Sequence, residues 1–238
     1  MENQENKKSD YLLPASIIIA ALLIGGSWIY TSGLNGFEAR NEANQKQEIT
    51  SPDKENVKSV SAQDHIRGDA NAPVKVIEFS DLECPYCKIY HETMQQVVNQ
   101  YGGKVAWIYR HYPLEQLHTK AKVSALASEC AAELGGNEKF WAFIDRYFEV
   151  TPSNDEINLT ELPNIAADIG LNKNQFENCL NSEKYNSKIE AQIKDATSSG
   201  ARGTPYSIVI GKNGTKYVVG GAYPMEQLKP IIDQAIGQ

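Results

Sequence analysis

The feature that most constrains this chain is Cys84-Pro85-Tyr86-Cys87, which follows the apolar run Val74-Lys75-Val76-Ile77-Glu78-Phe79. A strand pattern, then Ser80 and Asp81, then a helix-compatible segment puts the two cysteines at a helix N-terminus. On a helix, positions i and i+3 share one face with Cβ atoms roughly 5–6 Å apart, close enough for the sulfurs to bond reversibly. The orphan N–H groups and the dipole of a helix start stabilise a thiolate there. In this setting the first cysteine of such a motif titrates at about 3.5–7.5 instead of about 8.5. Pro85 suits the first turn, where its missing donor costs nothing. Zinc would need a second ligand pair at similar spacing, and Cys130 and Cys179 stand alone with no histidine nearby in sequence. The motif therefore reads as redox-active, ahead of half a zinc site or a static disulfide.

Around the motif, Asn71-Ala72-Pro73-Val74, Glu78-Phe79-Ser80-Asp81 and Cys84-Pro85-Tyr86-Cys87, followed by Gly203-Thr204-Pro205, resemble the DsbA-like branch of the thioredoxin superfamily. The resemblance spans about residues 63–238. It implies a thioredoxin fold with a helical insertion at about 114–199, and protein disulfide oxidoreductase activity without a cofactor. It also implies the site roles. Cys84 attacks, Cys87 resolves, and Pro205 is a cis-proline that lays the backbone of Thr204 beside the disulfide, where an extended substrate can pair with it. Glu78 matches the buried acid beneath the motif. Its own setting allows that role. A central parallel strand is covered on both faces, so a carboxyl sharing a face with Val74 and Val76 has a raised pKa and can exchange a proton with Cys87. Relatives of this branch with an extra disulfide suggest a Cys130–Cys179 bond, although the residues themselves leave two separate buried thiols open. The implied partners are thiol-bearing exported proteins and a membrane redox partner that reoxidises Cys84–Cys87.

The pattern along the chain is consistent with this. Val74–Phe79 and Val105–Tyr109 read as strands around a helix at Pro85–Tyr101, the parallel crossover unit. Helical periodicity follows at Lys120–Leu134, Glu138–Glu149, Leu162–Ile169, Lys173–Leu180 and Glu183–Ser198, broken by Gly135-Gly136 and Gly170. Asn172 with Gln175 reads as a helix cap. Tyr206–Ile210 and Lys216–Val219 flank a turn at Lys212-Asn213-Gly214, and Met225–Ile236 reads as a last helix. Periodicity alone supports α/β with an inserted helical subdomain.

No charge occurs from Tyr11 to Phe37, and Leu12–Tyr30 has the length and character of a transmembrane helix, with Tyr11, Trp28 and Tyr30 as interfacial aromatics. Residues 1–10 then form a cytoplasmic tail, with Lys7 and Lys8 favouring the inside against Arg40 and Lys46 beyond the span. Gly25-Gly26-Ser27 is a poor cleavage site, so an uncleaved anchor is expected over a removed signal peptide. Residues 31–62 read as a flexible tether too polar to bury a core. The expected organisation is residues 11–30 in the bilayer, with the catalytic domain at 63–238 displayed outside the cytoplasm.

A net charge of −7 and the absence of a basic stripe argue against nucleic acid. His91, His111 and His118 have no metal-ligand spacing, so no metal is expected, and His111 is placed in a loop. Asp64, His65 and the Glu183–Lys184 region read as solvated surface. The direction of exchange stays open between oxidase and reductase or isomerase. A dimerisation domain of the kind isomerases use would not fit in the short polar tether. The remaining alternative is a non-catalytic tethered binding or chaperone module stapled by its cysteines.

Overall fold

The structure, a computed structural model, describes residues 56–237. The span at 11–30 and most of the tether lie outside those residues. Among the described residues no helix is long and apolar enough to cross a membrane.

The centre of the fold is the crossover unit. Strand β2 (Val74–Ser80) leads into α1 (Pro85–Tyr101), which returns to β3 (Val105–His111) parallel to β2. Strand β4 (Tyr206–Ile210) pairs antiparallel with β2, and β5 (Lys216–Gly220) with β4. A short strand, β1 (His65–Gly68), pairs antiparallel with β3 and completes the order β1-β3-β2-β4-β5. Nothing in His65-Ile66-Arg67-Gly68 alternates like a strand. β3 recruits it as an edge, with His65 opposite Tyr109.

Two faces of the sheet are covered. Val74, Val76, Val105, Trp107 and Tyr109 pack under α1, under α2 (Ala121–Val150) and under the last helix (Met225–Ile236). Ile77, Phe79, Ala106, Ile108 and Ile208 face the other way, toward Ala196. Each fully buried large side chain of this kind contributes about 1.5–3 kcal/mol.

α2 joins the two helices expected at 120–134 and 138–149. Its axis breaks at Gly135 and Gly136, where Gly136 takes φ 71°, a left-handed value that glycine adopts without penalty. The insertion continues through α3 (Leu162–Asp168), α4 (Lys173–Ser182) and α5 (Asn186–Ser198). The Asn172 side chain accepts from Gln175 N–H at 3.1 Å and caps α4. α5 starts at Asn186 and not at Glu183, because Glu183 turns left-handed at φ 50° and closes α4. The final helix, α6 (Met225–Ile236), packs Leu228, Ile231 and Ile232 onto the sheet.

Three expectations about polar residues are corrected. His111 is the last residue of β3 and is buried, because the parallel ladder with β2 runs on to Ser80. His65 is not solvated; it stacks on Phe140 at 3.5 Å and meets Glu129 at 3.0 Å. Asp64 is likewise sequestered, receiving Arg110 Nε at 2.8 Å and Nη2 at 2.9 Å. Glu183 and Lys184 are exposed, as read. Arg110 also donates to the carbonyls of Lys58 and Ser59 and to Asp195. Residues 57–61, assigned to the tether by composition, therefore lie against the sheet, with Val57 and Val60 in its second core.

Candidate active site

Cys84 is the N-cap residue of α1, extended at φ −78°, with Pro85 starting the helix. The turn before it is held from both ends. Cys84 N–H donates to Asp81 O at 3.1 Å. The buried Glu83 side chain accepts from Tyr147 Oη, and from Asp155 N–H at 2.6 Å. Cys84 and Cys87 are both buried free thiols, with Cys84 5% exposed and Cys87 fully enclosed.

The environments of the two sulfurs push their acidities apart. A hydrogen bond from Cys87 to the Cys84 sulfur does most to bring the Cys84 thiol from 9.0 to about 6. Burial opposes the shift, while Thr204 and the backbone N–H groups of Tyr86 and Cys87 reinforce it. Thr204 also places its carbonyl 3.5 Å from Cys84 Sγ, and its buried hydroxyl has no other partner among the described residues. The Thr204–Pro205 peptide bond is cis. Cys87 goes the other way: burial, and its role as donor to Cys84, push its thiol well above 9.0.

Glu78 sits on the α1 side of β2 and is 1% exposed. Burial raises its carboxyl from 4.5 to about 7, against a 2.8 Å hydrogen bond from Trp107 Nε1 that favours the anion. Its charge acts on Cys87 in turn. Folded Glu78 thus holds its proton to about pH 7, whereas the unfolded chain releases it near 4.5. The sign follows: stability falls as pH rises through that window and stays lower above it. Glu78→Gln should remove the fall and stabilise the protein at pH 8 by on the order of 3 kcal/mol, with little change at pH 4. Denaturant unfolding at the two pH values checks this; an unchanged pH dependence would show that Glu78 does not titrate in this range.

Cys84, Cys87, Glu78, Thr204 and Pro205 therefore meet at one place. Cys130 and Cys179 lie in the helical insertion, where the structure joins them with Cα atoms 5.8 Å apart. The histidines meet different carboxylates, except that His65 and His111 share Glu129. His91 pairs with Asp145 at 2.7 Å, His111 with Glu129 at 3.3 Å, and His118 with Asp81 at 2.8 Å. Among the described residues no cluster is placed to hold a metal. Asp81 and His118 border the motif, yet spacing gave His118 no role, because its partner lies 37 residues away.

The thioredoxin family model Thioredoxin_4 matches residues 60–234. Among solved structures, Pseudomonas aeruginosa DsbA2 aligns with TM-score 0.64 and 28% identity, over 76% of this chain and 98% of that one. Wolbachia pipientis alpha-DsbA1 aligns with TM-score 0.62 and 26% identity, over 75% and 93%. Oxidised BdbD from Bacillus subtilis, at 21% identity and TM-score 0.66 over 76% and 98%, shares the fold. A curated relative, Na(+)/H(+) antiporter NhaA 3 of Salinispora tropica, is 31% identical over 172 residues, 72% of this chain. This chain spans only 24% of that protein's length.

Proposed function

Because the chain belongs to the thioredoxin family, and within it is a DsbA-like thiol–disulfide oxidoreductase, we propose that it is an oxidase that forms disulfides in exported proteins, anchored by a helix at 11–30 with its catalytic domain outside the cytoplasm. The observation that carries the exchange chemistry is the pair of enclosed free thiols at the start of α1 beside the cis Thr204–Pro205 bond, with Cys84 lowered to about 6 and Cys87 raised well above 9.0. The anchor rests on the uncharged run at 11–37.

In the oxidised protein, a substrate thiolate attacks Cys84 Sγ. The Cys84–Cys87 bond breaks and its electron pair leaves on Cys87. The enclosed Cys87 sulfur takes up a proton, for which the Glu78 carboxyl, protonated to about pH 7, is the donor. A second substrate thiolate then attacks the substrate sulfur of the mixed disulfide, and Cys84 leaves as a thiolate. The substrate has lost two electrons and gained a disulfide, and the motif is reduced. A low-pKa thiol leaves readily, and stabilising the reduced form makes the couple oxidising. The Thr204 carbonyl offers an acceptor beside Cys84 for an extended substrate backbone.

Continued turnover requires a membrane redox partner that removes those electrons. Sodium–proton exchange is not carried over from the longer antiporter relatives, since the matched stretch is a minor part of them.

Equilibration of the purified protein with glutathione buffers tests the direction. A midpoint well above about −200 mV supports an oxidase, and one near or below about −270 mV a reductase. Protease added to intact spheroplasts should remove the head if it is displayed outside; a protected head would overturn that placement.

A further inference from the structure

Asp81 follows directly on β2, on the way into the motif, and all its polar atoms are engaged there. Its carbonyl accepts from Cys84 N–H at 3.1 Å, and its own N–H points at Cys87 Sγ at 3.5 Å. Oδ1 takes Glu83 N–H at 2.8 Å, while Oδ2 takes Leu114 N–H at 2.9 Å and His118 Nδ1 at 2.8 Å. The Asp81 side chain is wholly inaccessible and that of His118 only 8% accessible. A carboxylate is thus enclosed three residues from the reactive sulfur, with an imidazole as its counter-charge.

We propose that Asp81 and His118 form a positioning pair for exchange at Cys84: protonated His118 cancels the Asp81 charge and thereby stabilises the thiolate that leaves the mixed disulfide. The inference rests on the thiol–disulfide reading above. In that step the second substrate thiolate forms the new S–S bond, the substrate–Cys84 bond breaks, and its electron pair stays on Cys84. No proton need move at Cys84, because one thiolate is consumed as the other forms, and the imidazolium has already cancelled the Asp81 charge beside it. With His118 neutral, the same thiolate would form beside a bare carboxylate.

Other groups around His118 act in the same sense. Burial opposes its protonation, yet the hydrogen bond and charge of Asp81, the Cys84 sulfur, and Asp155 from the loop after α2 raise its pKa above 6.5. Lys120 directs its ammonium away, to the carbonyls of Asp155 and Ile157. Glu83 is turned toward Tyr147 and Asp155 N–H.

Two measurements on the full chain test the pair. In the unmutated protein, NMR titration of His118 should give a higher pKa when Cys84 is a thiolate than when the motif is oxidised. Thiolate absorbance should show Cys84 about three- to tenfold less acidic in His118→Gln, since a charge near an ionising group shifts it by about one unit or more only at close range. The glutathione equilibrium should fall by the same factor. In Asp81→Asn/His118→Gln, where both charges are gone, acidity should return toward the original value; a merely structural defect would worsen. Unchanged His118 titration between redox states, or Cys84 acidity within twofold in an exchange-competent His118→Gln, overturns the pair and leaves the parent reading standing. If the unmutated protein shows neither an acidic Cys84 nor exchange with glutathione, both fail.

Discussion

Cys84→Ser should abolish exchange with a dithiol peptide, a loss of at least about a thousandfold, as expected when the sulfur that carries the mixed disulfide is removed. Cys87→Ala should behave differently. Given a disulfide-bonded peptide, its Cys84 thiolate can attack and displace one peptide sulfur, but no Cys87 thiol remains to release the other. A mixed disulfide should therefore accumulate as a covalent adduct visible on a non-reducing gel. The same variant also loses the hydrogen bond that does most to hold the Cys84 thiolate. Its Cys84 should therefore titrate above about 6, nearer the 9.0 of an ordinary thiol. Measured by thiolate absorbance, this separates the roles of the two residues. Residual exchange in Cys84→Ser, or adducts trapped through Cys87 instead, would reverse the assignment.

The second large effect concerns stability. Cys130 on α2 and Cys179 on α4 are bonded across 49 residues of chain, and both are buried. In the chain-entropy account, a bond closing a loop of that length stabilises the fold by about 4 kcal/mol. Cys130→Ala/Cys179→Ala should lower the Tm by roughly 8–16 °C for a domain of this size. Neither α2 nor α4 carries a motif sulfur, so exchange should persist below the new midpoint. Thermal unfolding monitored by circular dichroism reads the effect. A Tm unchanged by the double substitution would mean that the insertion is held by packing alone.

What the chain reveals locally and what it hides divide along a physical line. Pro85–Tyr101 and Met225–Ile236 are legible in the sequence, because their apolar spacing, with Pro85 as a start and Gly102 as a stop for the first, acts within a few turns. Gly135-Gly136 marks the break in α2, and Asn172 marks the start of α4, for the same reason. Alternation alone puts Glu78 on the face of Val74 and Val76, which is the face the structure buries under α1. The proximity of Cys84 to Cys87 follows from helical spacing, whereas bringing Thr204 to Cys84 across 120 residues needs β4 laid beside β2.

Other features depend wholly on such long-range placement. β1 exists because β3 offers an unpaired edge, and its own residues carry no strand signal. Arg110 collects Asp64, Asp195 and the carbonyls of Lys58 and Ser59 from segments that local periodicity cannot relate. His111 looked like a loop residue next to Tyr112-Pro113, but the ladder with Ser80 draws it into the strand. Asp81 and His118 meet because the loop after β3 folds back over the end of β2. From sequence alone, then, come the helices, the faces of the central strands, and a thiol pair poised at a helix start, since each is decided by residues within a few positions of one another. Tertiary structure alone decides burial and which charge neutralises which, and with them the acidities on which exchange depends, because those are set by groups that only the closed sheet brings together.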